Sequence, residues 1–283
     1  MKKYVVTILL LGVVLLYGRS QMNGVTLKEE NIIYNNSIDE STIIQGIIEL
    51  NNSTITDSSF GFDNSLHDNS KLNGSVIRQG YIRLNEATIK NSDFDLKNEI
   101  KNSSIEDSLI DQSIIILDKG ASIIESNIST ENLIDNLTAS NNSEVSQASI
   151  YMKSNSLINR SKISLNNTIK DTTLNSAFII QSELLLNEGS KIDGSTITNK
   201  TSVTNSTITT GSLSQGRIEI AKDVTLSHNI ELTSTSDNVT ITNSTVVICE
   251  EVISTDSTGD ISRTCDNSNS EYTGVNVTIG STN

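Results

Sequence analysis

The sequence predicts an all-β fold, a parallel β-helix or β-solenoid, on three observations. A glutamine returns six times, at Gln45, Gln79, Gln112, Gln147, Gln181 and Gln215, in steps of 34, 33, 35, 34 and 34. Each is followed by a small residue, and then by aliphatic residues such as Ile48 and Leu50 or Ile115 and Leu117. Within each repeat a shorter phrase recurs, a small residue, any residue, then an aliphatic or Phe, as in Ser103-Ser104-Ile105, Ser108-Leu109-Ile110 and Ser113-Ile114-Ile115. Repetition this regular describes one supersecondary unit stacked on copies of itself. The third observation is the fixed spacing of the isoleucines. Aromatics are only 4% of the chain, and Ser, Thr and Asn are abundant, a composition that favours disorder unless the apolar residues fall in register.

The N-terminus reads as an export signal over residues 1–20. Lys2 and Lys3 precede an apolar run from Tyr4 to Tyr17, and Gly18 and Ser20 suit cleavage after Ser20. The run is short for a membrane span, which takes about 20 apolar residues; a retained N-terminal anchor is the alternative, and the only membrane attachment expected. Either way the body lies outside the cytoplasm, at the cell surface or in the extracellular space.

Residues 21–245 are expected to be the repeat body. In an extended chain, residues two apart share a face, so Ser and Ile of each phrase point inward and the two residues that follow turn a corner. Six such sides fill each repeat. A single hexagonal coil would enclose a lumen too wide to fill at interior density, so the anchors predict two stacked, triangular coils per repeat, of 19 and 15 residues. The glutamines then sit at corners, where their amides can ladder along the axis or serve corner backbone groups. That role is structural.

From about residue 246 the phrase weakens while alternation persists, as in Val246-Val247-Ile248 and Val275-Asn276-Val277. Residues 246–283 are therefore expected to cap the solenoid, since an open end invites edge-to-edge growth. The only cysteines, Cys249 and Cys265, fall here, and in an exported chain an even count favours a disulfide.

The tandem Ser-x-Ile phrases of residues 98–117 resemble those of pentapeptide-repeat proteins, and the whole is similar to a secreted parallel β-helix. The resemblance covers roughly residues 36–220. Pentapeptide-repeat coils have four sides and prefer Ala-Asp/Asn-Leu/Phe, whereas six sides per period and breaks such as Asp118-Lys119-Gly120 occur here. Acidic cytoplasmic members of that family mimic DNA; the export signal points elsewhere.

Little in the sequence speaks for chemistry. Asp57, Glu106, Asp107, Asp111 and Asp193 occupy corners, and no column of the repeat stays acidic. Neither a phosphate loop nor a nucleophile motif is present, and His67 and His228 stand in no metal-ligand pattern, so no catalytic, cofactor or metal residue is assigned and no cofactor is expected. With 20 Lys and Arg against 34 Asp and Glu, and a net charge of -14, nucleic acid is not an expected partner. Sequons at Asn52, Asn73, Asn136, Asn205 and Asn276 follow from a chain rich in Asn and Ser. The surface set that stands out is apolar: Ile47, Tyr81, Ile114, Ile116, Tyr151 and Leu185, outward beside the Gln-led strand, a candidate interface for self-association or for a surface protein or glycan. The expected function is an exported, non-enzymatic structural or adhesive fibre element. The alternatives are a carbohydrate-active β-helix enzyme, which needs convergent carboxylates on one face, and an ice-binding protein, which needs a flat Thr array; Thr54-Ile55-Thr56 and Thr196-Ile197-Thr198 align to different sides.

Overall fold

The corners explain why this sequence coils. Asp57, Asn91 and Glu125 have positive φ of 50°, 48° and 51°, the left-handed region that Asn and Asp tolerate best among non-glycine residues. Each precedes a buried serine that closes the turn. Ser92 Oγ donates to the Lys90 carbonyl at 2.8 Å and accepts the Ser58 backbone N–H at 3.2 Å. The same pair of bonds recurs at Ser126 and Ser161. Inward hydroxyls are thus satisfied by corner backbone, which removes the penalty of burying them.

The computed structural model describes residues 8–17, 19–34, 37–67, 70–153, 155–221, 224–226, 230–237, 239–248, 251–253, 261–268, 271–273 and 276–279. The first turns comprise β1 (Ile8–Tyr17), β2 (Gln21–Asn23), β3 (Thr26–Tyr34), β4 (Ser37–Asp39), β5 (Thr42–Asn51), β6 (Thr54–Thr56), β7 (Ser59–His67), β8 (Lys71–Asn73), β9 (Val76–Gln79) and β10 (Ile82–Asn85). All described pairings are parallel, and they build three walls in about six coils. The first wall holds the Gln-led strands, with β5 central to β9 and β10; the second holds β2 and β6; the third holds β3, β4, β7 and β8.

The register overturns the expectation of two coils per repeat. Gln45 pairs with Gln79, Gln79 with Gln112 and Gln112 with Gln147, while Ile48, Ile82, Ile115, Ile150, Leu184 and Ile218 form one column. Each coil therefore consumes a whole repeat. The objection to a wide lumen is met by a waist. Two separate aliphatic cores fill the coil, one through Ile48, Ile55, Phe60 and Ile82, the other through Ile43, Leu66, Leu72 and Ile77. Phe60 and Phe94 stack in the first, with ring centroids 5.1 Å apart. What was read as two triangles stacked along the axis is two lobes side by side.

Amides form the waist. All six glutamines are fully buried, and the Nε2 groups of Gln79, Gln112, Gln147, Gln181 and Gln215 each donate to the Oε1 of the preceding glutamine at 2.7–3.0 Å. Facing them on the third wall, Asn31, Asn64, Asn98 and Asn132 each donate from Nδ2 to the next asparagine, ending at Asn167, at 2.7–2.9 Å. The glutamine chain donates toward the N-terminus and the asparagine chain toward the C-terminus, so their dipoles oppose. The small residue after each glutamine turns the wall inward: Gly46 has φ 61°, and a Cβ there would lie 2.8 Å from both Phe62 Cβ and Asn64 Nδ2. Where this position carries a hydroxyl, the hydroxyl joins the network. Ser113 Oγ accepts from Asn98 and donates to Asn132, both at 2.8 Å.

Parallel pairing continues at both ends. The apolar run read as an export segment forms β1, parallel to β5 with Leu9 opposite Ile43, Val14 opposite Ile48 and Leu16 opposite Leu50, and Val14 is buried. A run apolar at every position meets the inward alternation automatically, and Gly12 falls opposite Gly46. At the other end no change in pairing marks residue 246. Thr245–Ile248 pairs with Ser212–Gln215, Asn276–Ile279 with Thr245–Ile248, and Ile261–Ser268 with Ile230–Asp237. Alternation alone suffices to carry the coil on. Cys265 lies in the strand Ile261–Ser268, at the register position of the asparagine column; Cys249 lies outside the described residues.

Candidate interaction face

The inward turn after each glutamine leaves a furrow on the outside of the first wall. Two columns line it. Ile47, Tyr81, Ile114, Ser149, Glu183 and Arg217 form one; Glu49, Arg83, Ile116, Tyr151, Leu185 and Glu219 form the other. The expected outward set thus splits, with Ile47, Tyr81 and Ile114 in the first column and Ile116, Tyr151 and Leu185 in the second. It is also less exposed than expected. Ile47 and Ile114 are buried, at 6% and 5% exposure, and the other four are half-buried. The concave outer surface of a pinched wall is the reason. With one coil per repeat, equivalent side chains stand one rung apart, about 4.8 Å; Glu99 and Lys101 lie on the third wall.

Charged groups on this face link neighbouring rungs. Arg78 Nε donates to Asp111 at 3.3 Å and sits 5.8 Å from the Tyr81 ring centroid. Arg83 Nε donates to Asp118 at 2.9 Å, and Lys153 pairs with the other oxygen of that carboxylate. Glu183 accepts from Tyr151 at 3.0 Å and from Arg217 at 2.7 Å. Burial pushes the Asp111 carboxyl up despite Arg78, and pushes the Tyr81 and Tyr151 phenols up as well. At Asp118 burial acts in the same direction, but hydrogen bonds from Lys153 and Arg83 outweigh it and hold the carboxyl below the usual range. Asp111, Asp118 and Glu183 are therefore each engaged by a cation from a neighbouring rung.

Outside the third wall, Gly61 leaves a hollow of about 490 Å³ lined by Lys28, Glu30, Asp63, Asp95 and Lys97 among others. Thr54 and Thr56 lie on the second wall, whereas Thr196 and Thr198 lie on the third. A column of Thr138, Thr173, Thr207 and Thr240 also stands on the third wall. Among the described residues no group of three or more His, Cys, Asp or Glu side chains is placed to hold a metal ion.

Sequence reasoning missed the asparagine column, although Asn31, Asn64, Asn98, Asn132 and Asn167 recur at 33, 34, 34 and 35 residues. The signal was obscured by the abundance of Asn. It also missed Arg78 with Asp111 and Arg83 with Asp118, opposite charges one repeat apart.

No family model and no curated protein matches this chain. Solved structures to which it is similar include QnrB1, a plasmid-mediated fluoroquinolone resistance protein, at 13% identity over 80% of this chain and 91% of that one, with a TM-score of 0.14. A TibA fragment hyperglycosylated by TibC matches at 13% identity over 90% of this chain and 100% of that one, with a TM-score of 0.12. At such TM-scores neither likeness bears on fold or function.

Proposed function

We propose that this protein is an exported, non-enzymatic β-solenoid that serves as a structural and adhesive fibre element at the cell surface or beyond it, engaging another copy or a surface protein or glycan through the furrow of the first wall. The observation that carries the reading is the furrow itself. Aromatic and aliphatic side chains repeat there at one-rung intervals within a charged border, the composition expected of an interface with anchors inside a polar rim. A polysaccharide lyase or hydrolase would need carboxylates free to converge on substrate; the engagement of Asp111, Asp118 and Glu183 by cations supports a structural use of these groups instead.

The test is a variant combining Tyr81→Ser, Ile116→Ser and Tyr151→Ser. None of the three is a core residue, and Arg217 still engages Glu183, so folding should be nearly intact by circular dichroism. Attachment to cells or surfaces should fall at least tenfold. Parental adhesion in the folded variant would remove the furrow as the interface.

A further inference from the structure

We infer that the furrow takes an acidic glycan, with a carboxylate of one sugar held between Arg78 and Arg83 and the sugar faces laid on Tyr81, Ile116 and Tyr151. The inference rests on the reading of the furrow as an interface and adds the chemistry of its partner.

The arginines carry it. Arg78 on β9 precedes the left-handed turn at Gly80 and Arg83 on β10 follows it, so the two flank Tyr81 on one coil. Each leans toward the next coil and donates its Nε to a carboxylate there, Arg78 to Asp111 at 3.3 Å and Arg83 to Asp118 at 2.9 Å. Arg78 is also braced against the Tyr81 ring, 5.8 Å from its centroid. Neither arginine makes a further hydrogen bond or ion pair among the described residues, so the Nη groups of both stay open. Arg217 behaves differently, with Nη1 on Glu183 at 2.7 Å and Nη2 on Glu219 at 2.8 Å.

The charges are layered. The side chains of Arg78 and Arg83 are both 43% exposed, whereas those of Asp111 and Asp118 are 17% and 9% exposed. In a chain of net charge -14, this coil therefore turns cations to solvent and keeps their counter-ions beneath. A guanidinium held at Nε is fixed in direction, and its open Nη edge matches a planar carboxylate. Glu49, in the column of Arg83 one coil earlier, makes no ion pair among the described residues and opposes an anion there.

The floor selects a sugar over a peptide. The furrow is the face of a sheet whose backbone groups are already paired between coils, so it offers no edge for a strand to join. An extended peptide laid there would strand its own N–H and C=O groups on Ile114, Ile116 and Tyr151. A pyranose ring instead sets its C–H face on an aromatic or aliphatic floor and turns its hydroxyls to the rim.

The experiment is titration calorimetry of the full chain with hexamers of mannuronate and of galacturonate, each as the free acid and as the methyl ester, and with a glutamate hexamer. One of the acids should bind at least tenfold more tightly than its ester and than the peptide. Arg78→Lys with Arg83→Lys keeps a cation on Asp111 and Asp118, so this variant should match the parent by circular dichroism yet lose at least tenfold in affinity for that acid, because a point charge replaces the fork. Glu49→Gln, which disturbs neither arginine, should tighten the same binding severalfold. Equal binding of acids and esters overturns the inference, as does parental affinity in the folded lysine variant or weaker binding by Glu49→Gln. Preference for the glutamate hexamer reassigns the furrow to an acidic peptide and overturns it too. The interface reading stands or falls separately, on adhesion of the chain carrying Tyr81→Ser, Ile116→Ser and Tyr151→Ser. Lost adhesion without preference for an acid keeps the furrow as the interface and removes its acidic partner; retained adhesion with arginine-dependent binding of the acid does the reverse.

Discussion

The lobes and the waist are made by the same strands yet are held by different physics. In the lobes, Ile48, Ile82, Ile115, Ile150, Leu184 and Ile218 stack as a column, each contributing roughly 1.5–3 kcal/mol by burial. That attraction has no direction and tolerates exchange of one aliphatic for another. At the waist, each amide must donate to one neighbour and accept from the other, and a gap leaves a buried polar group unpaired. The lobes supply stability; the waist fixes register, because a slip of a single residue would set each glutamine against the small residue after it or the outward residue before it and break the whole ladder.

The comparison breaks most severely at Ile115→Asp. An unpaired charge in the aliphatic column should cost about 3–5 kcal/mol or more, and hydrogen exchange should show lost protection across several coils. A change confined to one rung would contradict a shared core.

Next in size is Gln112→Leu, which strands Gln79 Oε1 and Gln147 Nε2 and should cost about 2–4 kcal/mol in denaturant unfolding. Ile89→Val in a lobe should cost only about 1 kcal/mol. The ladder also predicts sub-additivity. Gln112→Leu and Gln147→Leu together break the bonds from Gln112 to Gln79, from Gln147 to Gln112 and from Gln181 to Gln147, one fewer than the two single variants counted separately. Strict additivity would mean that the amides act independently.

Gly46→Ala should follow, at about 1–3 kcal/mol, because its Cβ meets Phe62 and Asn64 at 2.8 Å in a left-handed backbone. Ala148→Gly, at the equivalent position of another coil, should change stability by less than about 1 kcal/mol. Equal costs would place the pinch elsewhere.

Smaller effects come from the furrow charges. Asp118 has a folded pKa below its unfolded value, so its contribution is present above about pH 4 and is lost as pH falls through the folded pKa. Asp118→Asn should flatten the acid limb of the stability curve. Asp111 is raised and contributes in the opposite sense, gaining stability as pH falls, so Asp111→Asn should steepen that limb. Urea titrations across pH 2–6 would separate the two. The most local expectation is a bridge between Cys249 and Cys265, read by mass mapping of nonreduced peptides; reduction should alter exchange near Ile261–Ser268 and leave the glutamine ladder protected.

The fold class was legible because the inward Ser and Ile obey a period of two and the glutamines a period of 34 within one residue. Whether a repeat made one coil or two was not legible, since the anchors Ile150, Ile158 and Ile163 are spaced alike in either arrangement. The deciding residues were polar. Asn64 and Asn98 face Gly46 and Gly80 across the lumen, and only a contact across the coil distinguishes a buried asparagine from the many at corners. The furrow was half legible for the same reason: alternation places Ile47 and Ile114 outward, but burial there follows from the left-handed turns at Gly46 and Ser113, which alternation does not encode.

The most direct test of this account is the set of nuclear Overhauser contacts made by the Gln112 side-chain amide. One pinched coil per repeat predicts contacts to Gln79 and Gln147, at separations of 33 and 35 residues, and between the backbone amides of paired rungs at Ile115 and Ile150. Contacts from the Ile115 backbone amide to the backbone amide of a residue 15 or 19 positions away in the chain, the spacing of two stacked triangles, would contradict it.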